Sequence, residues 1–325
     1  MSLPEMTRRQ FQQTTVAAGA LAIASAVHAG AAAPKNQYID MHTHVGTFYY
    51  GKPLSADDLV RMMDQHGIEK ACVLPLVSPE STMYLQPTEG AIAAARQHPD
   101  RLIAFCCLDA RVSTTNPARY GHVAGVRGMI EILDRYKQDG ARGFGEHKVG
   151  LPFDHPQMMM VYEACDKLEL PILFHLDDLR GIDTPGLPRL ENVLKAFPKL
   201  PLIGHAAGFW ASISGDATFA DFGRYPEVPK ATVPGGALDR LMEKYPNLYG
   251  DLSEPGGEKA LTRDLKFGRE FIVRHANQLV FGTDFLMAGQ QVPQFELLDS
   301  LELPADVQAK IYRDNAKKLL NLTGT

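Results

Sequence analysis

From residue 38 onward the chain alternates short apolar runs with longer stretches in which apolar residues recur every three or four positions. The first pattern reads as strands buried on both faces and the second as amphipathic helices. Strands are predicted at Tyr38–His42, Lys70–Leu76, Leu102–Leu108, Ala141–Gly145, Ile172–His175, Leu202–His205, Leu248–Leu252 and Leu279–Gly282. Helices are predicted at Ala56–His66, Thr88–Gln97, Val126–Gln138, Pro156–Leu168, Leu187–Phe197, Gly236–Lys244 and Lys259–His275, with a closing one from Pro304 to Leu320. Proline punctuates the joins, as in His98-Pro99-Asp100-Arg101-Leu102, Phe197-Pro198-Lys199-Leu200, Tyr245-Pro246-Asn247-Leu248 and Leu168-Glu169-Leu170-Pro171-Ile172. It cannot continue the preceding helix, so each link stops a helix and starts an extended run. Strand alternating with helix implies a parallel sheet. Eight such units fit a single-domain α/β fold, a (β/α)8 TIM barrel, better than a doubly wound sheet of about five to seven strands.

One connection departs from this rhythm. From Gly208 to about Pro234 the chain is rich in Gly, Pro, Ser and aromatic residues. Connections of this kind usually span about 2 to 6 residues, so the segment reads as a lid or binding loop, with a passive insertion as the alternative.

The start of the chain does not belong to the barrel. Arg8-Arg9 precedes an apolar run from Val16 to Val27, followed by small residues at Ala29, Ala31, Ala32 and Ala33. This resembles a twin-arginine export signal, with an apolar stretch below the roughly 20 residues a bilayer requires. The alternative is an amphipathic N-terminal helix, although no polar face recurs between Val16 and Ala26. Residues 1–33 are therefore read as the signal and 34–325 as the barrel. The resemblance implies export of a folded protein to the periplasm, with no integral membrane segment in the mature chain.

Composition narrows the partners. The 325 residues include 33 Lys and Arg against 38 Asp and Glu, a formal charge of −5 that lacks a nucleic-acid-binding field. A small-molecule substrate is expected, and homo-oligomerisation is left open. Two of the four cysteines, Cys106 and Cys107, are adjacent, which suits a disulfide framework poorly, so all are read as small buried hydrophobes.

The strand ends carry the chemistry. In a barrel, reactive side chains gather at the C-terminal ends of strands. There the sequence places His42 and His44 after strand one, Glu146 after strand four, His175 after strand five, His205 after strand six and Asp284 after strand eight. His42 and His44 are two apart, so alternation along the strand turns both one way. Imidazole with carboxylate suits Zn²⁺ or a similar divalent metal. The remaining histidines have simpler explanations. His66, His98 and His275 end helices, where partial positive charge meets the helix dipole. His28 lies in the signal, His122 and His155 read as surface or helix-start residues, and His147 faces away from Glu146.

Asp40-x-His42-x-His44, the histidines ending strands five and six, and Gly282-Thr283-Asp284 together resemble the amidohydrolase superfamily, in particular its amidohydrolase-related branch, over essentially the whole mature chain. That resemblance implies metal ligation by His42, His44, His175 and Asp284, with Asp284 also handling the proton of the attacking water. It implies that His205 either binds a second metal or acts unliganded as an electrophilic and acid/base group. A carboxylate at Glu146 favours two metals bridged by it over the single-metal, decarboxylase-like members; otherwise Glu146 supports a ligand or binds substrate. The expected enzyme is thus a metal-dependent hydrolase of ester, lactone or amide bonds, holding one or two metals. A single-metal decarboxylase or hydratase and a non-catalytic periplasmic receptor are the alternatives. Candidate substrate contacts are Tyr49, beside Phe48 and Tyr50, together with Trp210 and Arg180. The aromatics serve equally as core, and Arg180 equally pairs with Asp177 and Asp178. Asp40 is expected to orient the His pair from behind.

Overall fold

The computed structural model describes residues 37–48, 53–81, 84–112, 125–224 and 231–322. Residues 1–33, read from the sequence as an export signal, and Tyr49, Tyr50 and His122 lie outside them. Among the described residues eight strands form one sheet in sequence order: β1 (Tyr38–Thr43), β2 (Ile68–Val73), β3 (Leu102–Cys106), β4 (Gly143–His147), β5 (Ile172–His175), β6 (Leu202–His205), β7 (Leu248–Asp251) and β8 (Leu279–Val280). Every neighbouring pair is parallel. Backbone bonds from Met41 N to Phe281 O (2.9 Å), Asp284 N to His42 O (2.8 Å) and His44 N to Phe285 O (2.9 Å) join the first strand to the last. The expected (β/α)8 barrel is the fold.

Alternation sorts the strand residues into two layers. Ile39, Met41, Cys72, Ile103, Phe105, Leu173, Ile203, Tyr249 and Val280 fill the barrel interior, and Leu319 and Leu320 of the closing helical segment pack against them. The intervening residues, such as Val73, Phe144, Phe174 and Leu202, pack against the helices. Since Ile39 and Met41 point inward, unbroken alternation would turn His42 outward. The pairing of β1 with β2 shifts register between Asp40 and Thr43, and the pairing of β4 with β5 shifts between Phe144 and His147. An irregularity of this kind re-aims side chains. Here it accompanies His42 and Glu146 at the mouth, and His147 against the helix layer.

Two expected helices are interrupted. The Lys259–His275 pattern is two helices, Glu254–Thr262 and Leu265–Arg274, because Asp264 caps the second by accepting from Phe267 N at 3.0 Å. The closing pattern contains a π turn at Lys310–Asp314. A further helix, Gln294–Ser300, was not expected, and the Gly208–Pro234 connection contains a short helix at Ala207–Ala211. No helix among the described residues is long and apolar enough to cross a membrane.

Candidate metal centre and active site

His42 and His44 face each other at the mouth, their Nε2 atoms 3.2 Å apart. Their other nitrogens are engaged: His42 Nδ1 lies 2.7 Å from Asp251 Oδ2, and His44 Nδ1 lies 2.8 Å from the carbonyl of Leu74. A carbonyl only accepts, so His44 carries its proton on Nδ1 and leaves a lone pair on Nε2. The Asp251 carboxylate imposes the same tautomer on His42. Burial works against ionising Asp251, yet hydrogen bonds from His205 and His42 hold its carboxyl well below the usual range. Asp284 Oδ1 joins the pair, 3.2 Å from His44 Nε2 and 3.6 Å from His42 Nε2. Three acceptors converging in a buried space fit a bound cation, the arrangement a metal-ligating histidine pair with outer hydrogen-bond partners adopts.

A second donor group lies beside the first. Glu146 Oε1 is 2.7 Å from His175 Nδ1, while Oε2 is 3.8 Å from His42 Nε2 and 3.7 Å from His44 Nε2. The ring of His205 lies 4.5 Å from that of His42 and 5.4 Å from that of His175. His42, His44 and Asp284 form one set, and Glu146, His175 and His205 another; within each set, donor atoms lie within 4.8 Å of one another. A third set, His42, His205 and Asp251, overlaps both, so the six residues expected from the strand ends are brought together in one connected cluster. The chemistry of both, imidazole with carboxylate, fits a divalent metal.

Several contributors were not expected. Asp251 ends β7 and also contacts His205 Nδ1 at 3.2 Å, with Ser253 Oγ 3.0 Å from the same nitrogen. The strand-end argument applied to Leu248-Tyr249-Gly250-Asp251 would have found it. Asp177 Oδ2 lies 2.8 Å from His175 Nε2, so that ring is held between two carboxylates. Glu254, with φ +64°, brings Oε2 to 3.9 Å from His205 Nε2. Tyr84 packs its ring edge-on against His44, with centroids 5.6 Å apart.

Two expectations change, and for Arg180 one of its two readings is seen. Asp40 does not orient the histidine rings; its carboxylate accepts from His42 N, Thr283 N and Thr283 Oγ1 (3.1, 3.0 and 2.6 Å), tying the end of β1 to the Gly-Thr-Asp turn. Trp210 does not line the mouth. It is buried in the helix-side core, perpendicular to Phe209 and beside Phe271, and its indole N–H donates to Asp251 O at 3.0 Å. A large apolar ring with one donor gains most there, where its surface is dry and the donor is satisfied. Arg180 pairs with Asp177, the alternative weighed for it, and so braces the carboxylate behind His175. The other described histidines have structural partners: His98 meets Asp57 at 2.7 Å, His275 meets Asp239 at 2.6 Å, and His66 stacks on Phe295. His155 caps a helix by accepting from Gln157 N, and His147 contacts Met158 Sδ.

The amidohydrolase family model matches residues 39–322. Among solved structures, an uncharacterized TIM-barrel protein from Bordetella bronchiseptica is similar at 16% identity and TM-score 0.60, over 89% of this chain and 99% of that one. A putative 2-pyrone-4,6-dicarboxylic acid hydrolase from Pseudomonas putida aligns at 16% identity and TM-score 0.58, over 89% and 99%. A dihydroxybenzoic acid decarboxylase from Polaromonas, solved with manganese and 2-nitroresorcinol, aligns at 17% identity and TM-score 0.52, over 89% and 98%. No curated protein matches the chain.

Proposed function

This chain belongs to the amidohydrolase family, and on that premise we propose that it is a metal-dependent hydrolase that opens an ester, lactone or amide bond of a small molecule. The family and the folds it resembles include hydrolases and decarboxylases. One observation favours hydrolysis here: Glu146 stands between the two donor sets, bonded to His175 and within 4 Å of both His42 and His44, as expected of a carboxylate that bridges two metals.

When bound, a divalent metal lowers the pKa of a water from about 15.7 toward 7 and polarises a carbonyl. His42, His44 and Asp284 would hold one ion, and Glu146, His175 and His205 a second. Asp251 and the Leu74 carbonyl keep the first two rings aimed inward. Asp284 takes the proton of the attacking water and passes it to the leaving group. Its Oδ2 lies 4.0 Å from His205 Nε2, which places the proton carrier beside the residues that would hold the second ion. Zn²⁺ suits these ligands, and the manganese in the Polaromonas decarboxylase makes Mn²⁺ the metal to test beside it.

Elemental analysis of purified protein, together with a panel of lactones, aryl esters and anilides, tests the proposal. Two equivalents of metal and turnover of at least one class are expected. Release of CO₂ from hydroxybenzoates with one equivalent of metal would establish the decarboxylase instead. We propose further that residues 1–33 direct export to the periplasm by the twin-arginine route. N-terminal sequencing of the mature protein and loss of export in an Arg8→Lys, Arg9→Lys variant test that step.

A further inference from the structure

Among the described residues the mouth is rich in acceptors, and most of its donors are engaged. Lys148 is 3.3 Å from Glu146, Arg180 pairs with Asp177, Ser253 Oγ lies 2.6 Å from Asp251, and Thr283 Oγ1 donates to Asp40. Arg180 Nε, behind Asp177, and the Tyr84 hydroxyl, beside His44, are donors left without a partner among the described residues. The Tyr84 hydroxyl is buried, in a residue only 4% exposed, and has no hydrogen-bond partner among the described residues. An unsatisfied buried hydroxyl costs about 1–3 kcal/mol, and such a group in a native structure asks for an explanation.

Its position supplies one. The ring stands edge-on to His44 and against Phe48, and the backbone N–H of Tyr84 bonds Ser81 O at 2.8 Å, which fixes the residue beside the histidine pair. The hydroxyl lies next to Gly46, two residues beyond His44; a Cβ there would come within 3.6 Å of it. A phenol ordinarily ionises only at about pH 10, so the group is a neutral donor at neutral pH.

We propose that Tyr84 is a further catalytic residue, whose hydroxyl donates to the substrate carbonyl oxygen as that oxygen becomes negative. This rests on the hydrolase reading. Water oxygen bonds to the carbonyl carbon while Asp284 takes its proton, and the carbonyl π pair moves onto oxygen, where the Tyr84 O–H meets it. The pair then returns, the bond to the leaving group breaks, and that group receives the proton from Asp284. A donor left unsatisfied in the free enzyme is suited to this step because it forfeits no existing bond.

Tyr84→Phe removes the oxygen and keeps the ring packing. On a substrate the wild type hydrolyses, kcat should fall about 10²- to 10³-fold with KM little changed. Metal content should stay the same and thermal stability should hold or rise. An unchanged kcat overturns the proposal, because a merely buried hydroxyl predicts that result. If the wild-type holoprotein turns over no ester, lactone or amide, the hydrolase reading fails separately. Tyr84 is then judged by calorimetric binding of phenylphosphonate, an oxyanion mimic. At least tenfold weaker binding by the variant supports the donor role, and equal affinity, or binding by neither protein, overturns it.

Discussion

Asp251, at the end of β7, holds His42, at the end of β1, past the intervening β8: its Oδ2 lies 2.7 Å from His42 Nδ1. The same oxygen lies 3.2 Å from His205 Nδ1, so one carboxylate sets two rings. Strands far apart in the chain are thereby locked into one site.

Asp251→Asn leaves shape nearly unchanged but offers an amide where the rings need an acceptor. Metal affinity should drop about 10- to 100-fold, as for other partners behind ligating histidines. Titration against a metal-sensitive dye measures it; affinity equal to wild type would show that the contact does not orient His42.

Asp284→Asn should retain the fold and yet lose nearly all turnover, since the amide cannot take a proton. Full activity in the metal-loaded variant would remove Asp284 from the mechanism.

Glu146→Gln should lower the metal content from two equivalents to one, and chelation should lower the thermal midpoint of the wild type more than that of the variant, because ligand binding stabilises only the folded state. Identical stoichiometry by elemental analysis would rule out the bridging role.

Trp210→Ala should cost about 3–5 kcal/mol of stability, the usual range for deleting a large core aromatic. In the folded fraction KM should be unaffected. A KM change with little destabilisation would return Trp210 to the substrate site.

His147 sits buried against Met158, and burial depresses its imidazole pKa from 6.5 to about 4. The unfolded chain takes up that proton near 6.5 while the folded one resists until about 4. Stability contributed by neutral His147 is therefore complete above the upper value and lost as pH falls through this window, by up to about 3 kcal/mol. Denaturant titrations of metal-free protein at neutral pH and near pH 4.5 should show a steeper loss for wild type than for His147→Leu.

The apolar runs and their proline-marked joins determined eight parallel strands and the barrel, because a strand buried on both faces must be apolar along its length and a helix beside it must carry a stripe. The strand-end rule likewise puts His42, His44, Glu146, His175, His205 and Asp284 in one place from the sequence alone. Three matters waited for the tertiary structure. Which side chain backs which ring depends on distances between strand ends, and so Asp251 took the role expected of Asp40. Whether an aromatic lines a mouth or a core depends on what packs over it, and so Trp210 went to the helix layer. The inward turn of His42 and Glu146 depends on register shifts in β1 and β4, and a register is a relation between strands that no single strand's pattern contains.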